Sequence, residues 1–488
     1  MTNRSLTRNL ISEAGIVIAL VALTNTAFLI YVDSTQRHSN PYMGILAWII
    51  APAIFCFSLA VFILGLLLER RRRRRLAPEI VPEYPTLDLN VGRTRLIVGA
   101  TTVGIILFVT VSVVGSYQAY HYTDTDSFCG TLCHQVMKPE YTAYKLSPHS
   151  RVGCVGCHVG PGATWYVRAK LSGAYQVYAT LSNTYPRPIP SPVENLRPAQ
   201  ETCEQCHWPE KFWGETLKTF QHFGYDETNT PQTVNMLIKT GGGSPAAGER
   251  AGIHWHMNIA NEVTYVATDE HRQVIPWVRI KDRQGHVTEY KAQDSKLTEA
   301  QIASAPKRRM DCVDCHNRPT HIYVSPDRAV DAAIAAGRID RNLPYIKQQA
   351  VAALTKDYAT TQAALAGMSH DVPEYYRKTY ATLYAANRPA IDHAVMSMQQ
   401  IFSSTRFPEM HVDWRTHPNN IGHFMSAGCF RCHDDQHVSK DGKKISKDCT
   451  ICHEMLTGTK TAAEFQHPVD LGDLRNVNCA DCHTGSGM

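Results

Sequence analysis

Seven sites in this 488-residue chain combine two cysteines with a histidine. Six of them read C-x-x-C-H, the attachment signature of c-type haem. In such a site each cysteine forms a thioether to the porphyrin, and the adjacent histidine ligates the iron. The repetition predicts a multihaem cytochrome. The six sites are Cys154-Cys157-His158, Cys203-Cys206-His207, Cys312-Cys315-His316, Cys429-Cys432-His433, Cys449-Cys452-His453 and Cys479-Cys482-His483.

The first site departs from this spacing, because three residues separate Cys129 from Cys133 before His134 follows. A wider loop can still bring both sulfurs to a porphyrin edge, so we predict seven covalently attached haems. The alternative is an unmodified or disulfide-bonded pair, which would leave six haems. Zinc fits poorly, since a histidine directly after the second cysteine is not the spacing of zinc-binding motifs. Only Cys56, in an apolar run, is left over, and we expect it to be buried.

Six-coordinate haems need a second axial ligand, and 16 of the 23 histidines lie outside the seven sites. Position near a motif favours five distal ligands: His149, His321, His423, His437 and His467. Met137, four residues after Cys133, is a candidate ligand for the first haem, where a thioether would raise the potential. The alternative for Met137 is a packing residue. A broader set of histidines consists of His121, His222, His254, His256, His411 and His417.

Three apolar segments, about residues 14–32, 43–68 and 96–117, are long enough to span a bilayer. The loop between the second and third carries the arginine run at 70–75, whereas the preceding loop carries little positive charge. The positive-inside rule therefore puts this loop and the N-terminus in the cytoplasm and everything after residue 117 in the periplasm. The first segment lacks a small-residue cleavage site, so we expect a retained anchor. The prediction is a multi-pass protein of the bacterial inner membrane.

The remaining sequence patterns divide the chain into domains. We predict a membrane domain at 1–118, a four-haem module at 119–325 with a β insertion at about 250–292, a helical spacer at 326–404 and a three-haem module at 405–488. The spacer helices are expected at 326–337, 344–366 and 373–398, each with a proline in its first turn. The fold class is mainly α, with extensive irregular haem-wrapping structure, three transmembrane helices and a small β insertion. The net charge is +5, but the sequence has no patches in which basic and aromatic residues alternate. We therefore expect no nucleic-acid partner.

Several motifs resemble the NapC/NirT family of membrane-anchored multihaem quinol dehydrogenases. They are Phe128-Cys129 with Met137-Lys138-Pro139, then Ser147-Pro148-His149 before the second site, then Val159-Gly160 and Lys170. The resemblance covers about residues 117–321. It implies that His149 ligates the fourth haem, that His321 ligates the second, and that Lys170 belongs to a quinol pocket beside the first haem.

The chain also departs from that family. The first site has one added residue on each side of Cys133-His134, and no acidic partner follows Lys170 within residues 171–181. Three spans and seven haems look more like the larger heptahaem inner-membrane cytochromes.

These observations predict oxidation of a membrane quinol, with menaquinol favoured, where the third span meets the first haem. Lys170, His121, Tyr117 and Tyr122 are the candidate pocket residues. Electrons would leave through the haems to a soluble periplasmic cytochrome or reductase. Two alternatives stay open at this point: an electron conduit without a quinol site of its own, and a terminal reductase that uses the first haem.

Overall fold

A computed structural model describes residues 6–7, 9–35, 51–74, 89–132, 136–160, 163–193, 196–209, 212, 214–242, 252–257, 261–282 and 284–456. The chain forms two compact units, Met1–Cys129 with His158–Gln176, and Gly130–Cys157 with Val177–Met488. The predicted fold class is confirmed, because the described residues are mainly helical, with three long apolar helices and small antiparallel sheets.

The first unit contains the three apolar helices, Leu10–Thr35, Ala51–Arg73 and Gly92–Thr123. Each is long and apolar enough to cross a membrane. The first two pack closely through small residues, since a Cβ on Gly15 would lie 2.7 Å from the backbone nitrogen of Phe62. The first 8 residues of the predicted second span, 43–50, lie outside the described residues.

Several polar groups in the first two apolar helices form hydrogen bonds within their own helix. Thr24 and Thr26 each donate a hydrogen bond of 2.8 Å to a carbonyl four residues earlier in the same helix. The arginine run continues the second helix, where Arg73 bonds Glu69 at 2.9 Å. Cys56, which we expected to be buried, is exposed on the same helix. No described helix covers that face, so lipid can contact it in a membrane-anchored protein.

Helices of the second unit fall into two groups. Short ones lie near the cysteine motifs, whereas a cluster of longer ones follows the fourth motif. The helices near the motifs are Lys138–Leu146, Cys154–His158, Glu299–Ser304 and Cys312–Cys315. Helix Ala163–Leu181 begins in the first unit and ends in the second. The later cluster consists of Pro326–Ala335, Ile346–Thr355, Thr361–Thr379, Ala381–Ala386 and Arg388–Thr405.

The later cluster encloses the largest apolar core of the second unit, which includes Met368, Tyr376, Ile391 and Phe402. We expected a helix to start at Pro373, but Pro373 lies inside helix Thr361–Thr379. Proline in a helix interior costs about 3 kcal/mol. Burial of Met368 and Tyr376 on both sides of it, each with 0% exposure, offsets that cost.

Within the described residues, eight strands form two antiparallel sheets. The predicted insertion contains β3 (Glu262–Val266), β4 (Trp277–Lys281) and β5 (Val287–Ala292), which pair in sequence and lie between β6 (Arg308–Arg309) and β7 (His437–Ser439). A second sheet, not expected from the sequence, pairs β1 (Thr216–Phe223), β2 (Pro231–Ile238) and β8 (His453–Met455). Both sheets therefore join the middle of the chain to the region of the fifth and sixth motifs.

A buried ion pair fixes the β1–β2 hairpin to the helical cluster. The Lys347 ammonium lies 2.7 Å from Asp331 and 2.9 Å from Asp327. Asp331 also accepts the Phe223 backbone N–H at 3.1 Å and lies 3.1 Å from His222 Nδ1. The three side chains His222, Asp327 and Asp331 could hold a cation by distance alone. The lysine already supplies the positive charge there, so we regard the cluster as structural.

Candidate haem sites

The second to the sixth attachment motifs, which the structure describes in full, form short turns that bring cysteine and histidine together. In the fourth motif Asp311 and Asp314 form a capping box around helix Cys312–Cys315. The backbone N–H of His316 then donates to the carbonyl of Cys312 at 2.8 Å. His207 and His433 make the same bond, to Cys203 at 2.8 Å and to Cys429 at 3.0 Å. Such a turn places the histidine below its first cysteine, which suits a covalently attached haem.

None of the twelve described cysteines forms a disulfide. From the second to the sixth motif, thiols of different motifs interact electrostatically. Burial raises the pKa of Cys157, and the nearby Cys203 raises it further. Burial and then the same Cys203 raise the pKa of Cys312 to about 12. The second, third and fourth motifs therefore lie next to one another in that order.

The same order of neighbouring motifs continues into the C-terminal region. Burial and then Cys429 raise the pKa of Cys315 to about 12, which makes the fourth and fifth motifs neighbours. Burial and then Cys429 also raise the pKa of Cys452 to about 11. Haems attached at these motifs would follow the same order, from the second to the sixth.

Pairs of histidine rings lie at the separation that a shared iron requires. Two imidazoles on one metal, each with about 2 Å between metal and nitrogen, have ring centroids roughly 6 Å apart. Four pairs have centroids 5.9–6.4 Å apart, and each joins one motif histidine to one histidine from elsewhere. The pairs are His207 with His149, His316 with His254, His433 with His256, and His453 with His423.

The ring nitrogens also fit metal ligation. His149 Nδ1 and His453 Nδ1 are buried without a hydrogen-bond partner, an uncommon state for a polar atom. Burial lowers the pKa of His256 and of His316, which keeps both rings neutral as iron ligands must be. The residues present therefore fit haem iron at these four motifs.

Two predicted distal ligands, His149 and His423, belong to these pairs. The resemblance implied that His149 serves the fourth haem, whereas its ring lies 6.0 Å from His207 of the third motif. Tyr144 fixes this loop, because its hydroxyl donates to the Ser150 carbonyl at 2.8 Å and accepts the Gly153 N–H at 3.1 Å. The partners at the fourth and fifth motifs, His254 and His256, came only from the broader set.

His437 does not fit its predicted role as a distal ligand. Its Nε2 lies 2.7 Å from the carbonyl oxygen of Ile275, and its Nδ1 lies 2.9 Å from Asp434. Burial alone would lower the pKa of His437, but Asp434 outweighs burial and raises it. A protonated ring that donates from both nitrogens has no lone pair for iron. His437 instead joins the fifth-motif region to the strand that follows Ile275.

His321, the remaining described distal candidate, lies in a buried charged cluster. Its Nδ1 is 3.0 Å from the Glu140 carbonyl oxygen, and Arg318 bonds the Glu140 carboxylate at 3.1 and 3.2 Å. Burial alone would raise the pKa of Glu140, but Arg318 and then His321 lower it below its usual value. Glu140 is therefore an anion that orients His321 through Nδ1, as carboxylates and carbonyls orient metal-bound histidines.

His417 has a stronger signature than its sequence position suggested. Both ring nitrogens are buried without a hydrogen-bond partner. Burial, with a smaller contribution from Arg318, lowers the pKa of His417 to about 4. A neutral buried ring with two unsatisfied nitrogens is a candidate metal ligand. Sequence position gave no sign of this, because His417 lies twelve residues before the nearest motif cysteine, Cys429.

The first motif is described only in part, and the seventh lies wholly outside the described residues. Cys133, His134, His467, Cys479, Cys482 and His483 lie outside the described residues. Cys129 lies in the turn Phe128–Leu132, and Gly130 is required there because a Cβ would lie 2.1 Å from the Tyr141 ring. Met137 is half-buried at the start of helix Lys138–Leu146, and its role as a ligand stays a prediction.

The end of the third apolar helix carries an acid–base pair. Lys170 Nζ donates to Asp124 Oδ1 at 2.8 Å and to Thr123 Oγ1 at 3.1 Å. The lysine side chain is 33% exposed and the aspartate 20% exposed. Asp124 thus gives Lys170 an acidic partner, although none follows the lysine within residues 171–181. Asp124 precedes Cys129 by five residues. Its position between an apolar segment and a cysteine motif is the one feature of the sequence that could have indicated this pairing.

The other three predicted pocket residues lie on the last two turns of the same helix. Tyr117 and His121 are in contact, with ring centroids 4.4 Å apart. Tyr122 packs edge-on against Phe128 at 5.5 Å, and half of its surface is exposed. The fold thus brings Lys170 to the helix end that holds Tyr117, His121 and Tyr122, seven to twelve residues before Cys129.

This combination of a membrane anchor, a haem motif at its end and further motifs beyond is typical of one class of protein. The sequence model of the NapC/NirT cytochrome c family, N-terminal region, matches residues 92–188. The chain belongs to this family and is a membrane-anchored multihaem c-type cytochrome of electron transfer, with covalently bound haem c.

Sequence similarity to one known protein extends over nearly the whole chain. Cytochrome c-type protein ImcH of Geobacter sulfurreducens is 46% identical over 483 residues, which cover 97% of this chain and 95% of that protein. No solved structure matches the chain.

Proposed function

We propose that this protein oxidises a membrane quinol, with menaquinol favoured, and passes the electrons to periplasmic acceptors. The observation that carries the proposal is the Lys170–Asp124 pair at the end of the third apolar helix. A quinol head group reaches the membrane surface, and Cys129 of the first motif follows Asp124 by five residues. The pair would then lie where quinol and the first haem meet.

Lys170 and Asp124 have complementary tasks in this proposal. Quinol oxidation releases two protons, and the leaving proton must pass to a base that reaches water. Asp124, partly exposed, would accept the two protons one after the other and release each to solvent, as the two electrons leave singly. The Lys170 ammonium would stabilise the negative oxygen that develops on the quinol. Tyr117 and His121, in contact one turn earlier, would line the apolar side of the pocket.

Haem c supplies the one-electron acceptors when bound. We propose seven of them, or six if the site Cys129–His134 is empty. Cysteines hold each group covalently, and the motif histidines with His149 and His423, together with His321, His467 and Met137, would complete the iron ligands. Neighbouring thiols connect the second motif to the sixth, which supports a continuous route toward the C-terminal region.

The charge distribution supports an orientation. Arg70 to Arg73 extend the second apolar helix, so we propose that this end lies in the cytoplasm of a bacterium. The N-terminus would share that side, and the second unit with its haems would face the periplasm. The expected partners are the quinone pool of the inner membrane and a soluble periplasmic cytochrome or reductase.

Anaerobic mixing of the purified holoprotein with a menaquinol analogue tests the function, with haem reduction followed by absorbance. Lys170→Ala should slow the reduction. Arg168→Ala is the matched control, because Arg168 stacks on Trp165 and lies about 200° around the same helix from Lys170. If quinol fails to reduce the wild-type haems while dithionite does, the protein is an electron conduit without a quinol site. High-spin haem that binds small ligands would favour a terminal reductase.

A further inference from the structure

The short turn Ile253–Met257 carries two histidines that face two different motifs. His254 lies opposite His316 of the fourth motif, with ring centroids 6.4 Å apart. His256 lies opposite His433 of the fifth motif, with ring centroids 5.9 Å apart. We propose that His254 is the distal ligand of the fourth haem and His256 that of the fifth, so that one turn ligates two neighbouring irons.

The geometry of the turn explains how residues two apart can serve two irons. A 3-10 helix has three residues per turn, so positions i and i+2 point about 120° apart. The side chains of His254 and His256 therefore diverge and cannot meet at one metal. Each separation instead matches the roughly 6 Å expected for two imidazoles on one iron.

Hydrogen bonds set the tautomer that ligation needs. His254 Nδ1 lies 2.6 Å from the Thr240 carbonyl oxygen, and His256 Nδ1 lies 2.9 Å from the Ile253 carbonyl oxygen. His433 Nδ1 lies 2.9 Å from the Ser446 carbonyl oxygen. A carbonyl only accepts, so each Nδ1 carries the proton and each Nε2 keeps its lone pair. Metal-bound histidines are oriented in this way.

Glycine lets the turn approach β2 closely. A Cβ on Gly242, where φ is +124°, would lie 2.2 Å from the Trp255 backbone nitrogen. The backbone of the turn is bonded to the same segment, since Ile253 N–H donates to Lys239 at 2.8 Å and His254 N–H donates to Gly241 at 3.1 Å. The positions of both histidines are therefore set by the sheet rather than by haem binding alone.

An independent contact holds the fourth and fifth motifs together. Arg431, inside the fifth motif, is buried and donates from Nη2 to the Asp314 carbonyl oxygen of the fourth motif at 2.7 Å. Its Nη1 donates to the Arg272 carbonyl oxygen at 2.8 Å. The two proximal histidines thus belong to one rigid cluster, and the turn closes that cluster from the other side. The inference needs bound haem but not quinol oxidation.

The two sites should differ spectroscopically. The His254 and His316 planes are inclined by 2°, whereas the His256 and His433 planes are inclined by 85°. In low-spin ferric haem, parallel ligand planes give a rhombic EPR spectrum, and perpendicular planes give a strongly anisotropic one with a large maximal g value. Loss of each histidine should therefore remove a different signal.

The test uses the full-length holoprotein and four variants: His254→Gly, His256→Gly, the double variant of both, and the control His286→Gly. His286 is 77% exposed and lies beside Asp282, away from the motifs. Ferric EPR should show one high-spin haem in each of the first two variants and two in the double variant. The rhombic signal should decrease in the first and the anisotropic signal in the second. Added imidazole should restore low-spin haem, and the control should match the wild type.

A spectrum of either single variant that matches the control would overturn the inference, as would a double variant with only one high-spin haem. Covalent haem content by intact mass should stay unchanged, because the cysteines are intact. Should a glycine variant fold poorly, His254→Met and His256→Met keep a ligand atom. Each should shift one haem of the redox titration to higher potential. Titrations identical to the wild type would equally refute the assignment.

Discussion

Lys170 and Asp124 form a pair that can be dissected by a double-mutant cycle of Lys170→Met, Asp124→Asn and both together. A preorganised donor to a developing oxyanion in an enclosed site contributes about 10²–10³ in rate. Lys170 is one-third exposed, so solvent screening reduces this contribution. We expect Lys170→Met to lower kcat/KM for quinol about 10- to 100-fold, or about 1.4–2.8 kcal/mol.

Asp124→Asn should cost less, about three- to tenfold. The amide oxygen still accepts the Lys170 hydrogen bond, and Thr123 at 3.1 Å still holds the ammonium, but the proton acceptor is lost. Because both groups are proposed to act on one quinol oxygen, their effects should not add. The double variant should be about as slow as Lys170→Met alone.

Stopped-flow absorbance under anaerobic conditions measures the rate of haem reduction by the quinol analogue. Reduction by dithionite, which needs no quinol pocket, should proceed equally in all four proteins and shows that the haems are intact. Rates within twofold of wild type for both single variants would refute the pocket. Effects that add fully would show that the two side chains act in separate steps.

Two further predictions concern residues outside the pocket. Lys347→Met should lower the free energy of unfolding by about 3–5 kcal/mol, because it leaves the buried Asp331 carboxylate without its cation; the lysine is 3% exposed. Lys378→Met is the urea-denaturation control, because the Lys378 side chain is 70% exposed where it pairs with Glu374, and an equal effect of both variants would contradict this reasoning. His437→Gln should leave the ferric EPR spectrum unchanged, since both ring nitrogens of His437 are hydrogen-bonded. Asp434 raises the pKa of His437 above 6.5, so its stabilisation is complete below pH 6.5 and is lost as the pH rises through the raised pKa. The stability difference between wild type and variant should therefore shrink as the pH rises above 6.5, and a constant difference would contradict the charged ring.

Local patterns in the chain predicted those features whose partners are close in sequence. Six C-x-x-C-H motifs indicate covalent haem because both cysteines and the histidine lie within five residues, on a single turn. Apolar length predicted the three long helices in the same way, because a bilayer imposes a length on each segment separately. The alternation around Val263 and Tyr265 predicted strand β3, since the period of a strand is local.

The hairpin β1–β2 and the continuation of helix Thr361–Thr379 through Pro373 were missed for a common reason. Phe223 of β1 and Tyr376 of the helix belong to one buried core, which no single segment encodes. Tertiary packing outweighs local preference where the buried area is large.

The sequence by itself determined that this protein is a membrane-anchored cytochrome with covalent haem, and it predicted one proximal histidine in each motif. Only the tertiary structure decided which histidine faces each motif histidine and which acidic residue pairs with Lys170. It brought His254 to His316, His256 to His433, and Asp124 to Lys170, which are 46 residues apart. It also placed both nitrogens of His437 on other partners, although His437 lies four residues from a motif. A proximal ligand is set by the backbone of its own turn, whereas a distal ligand is set by the packing of distant segments.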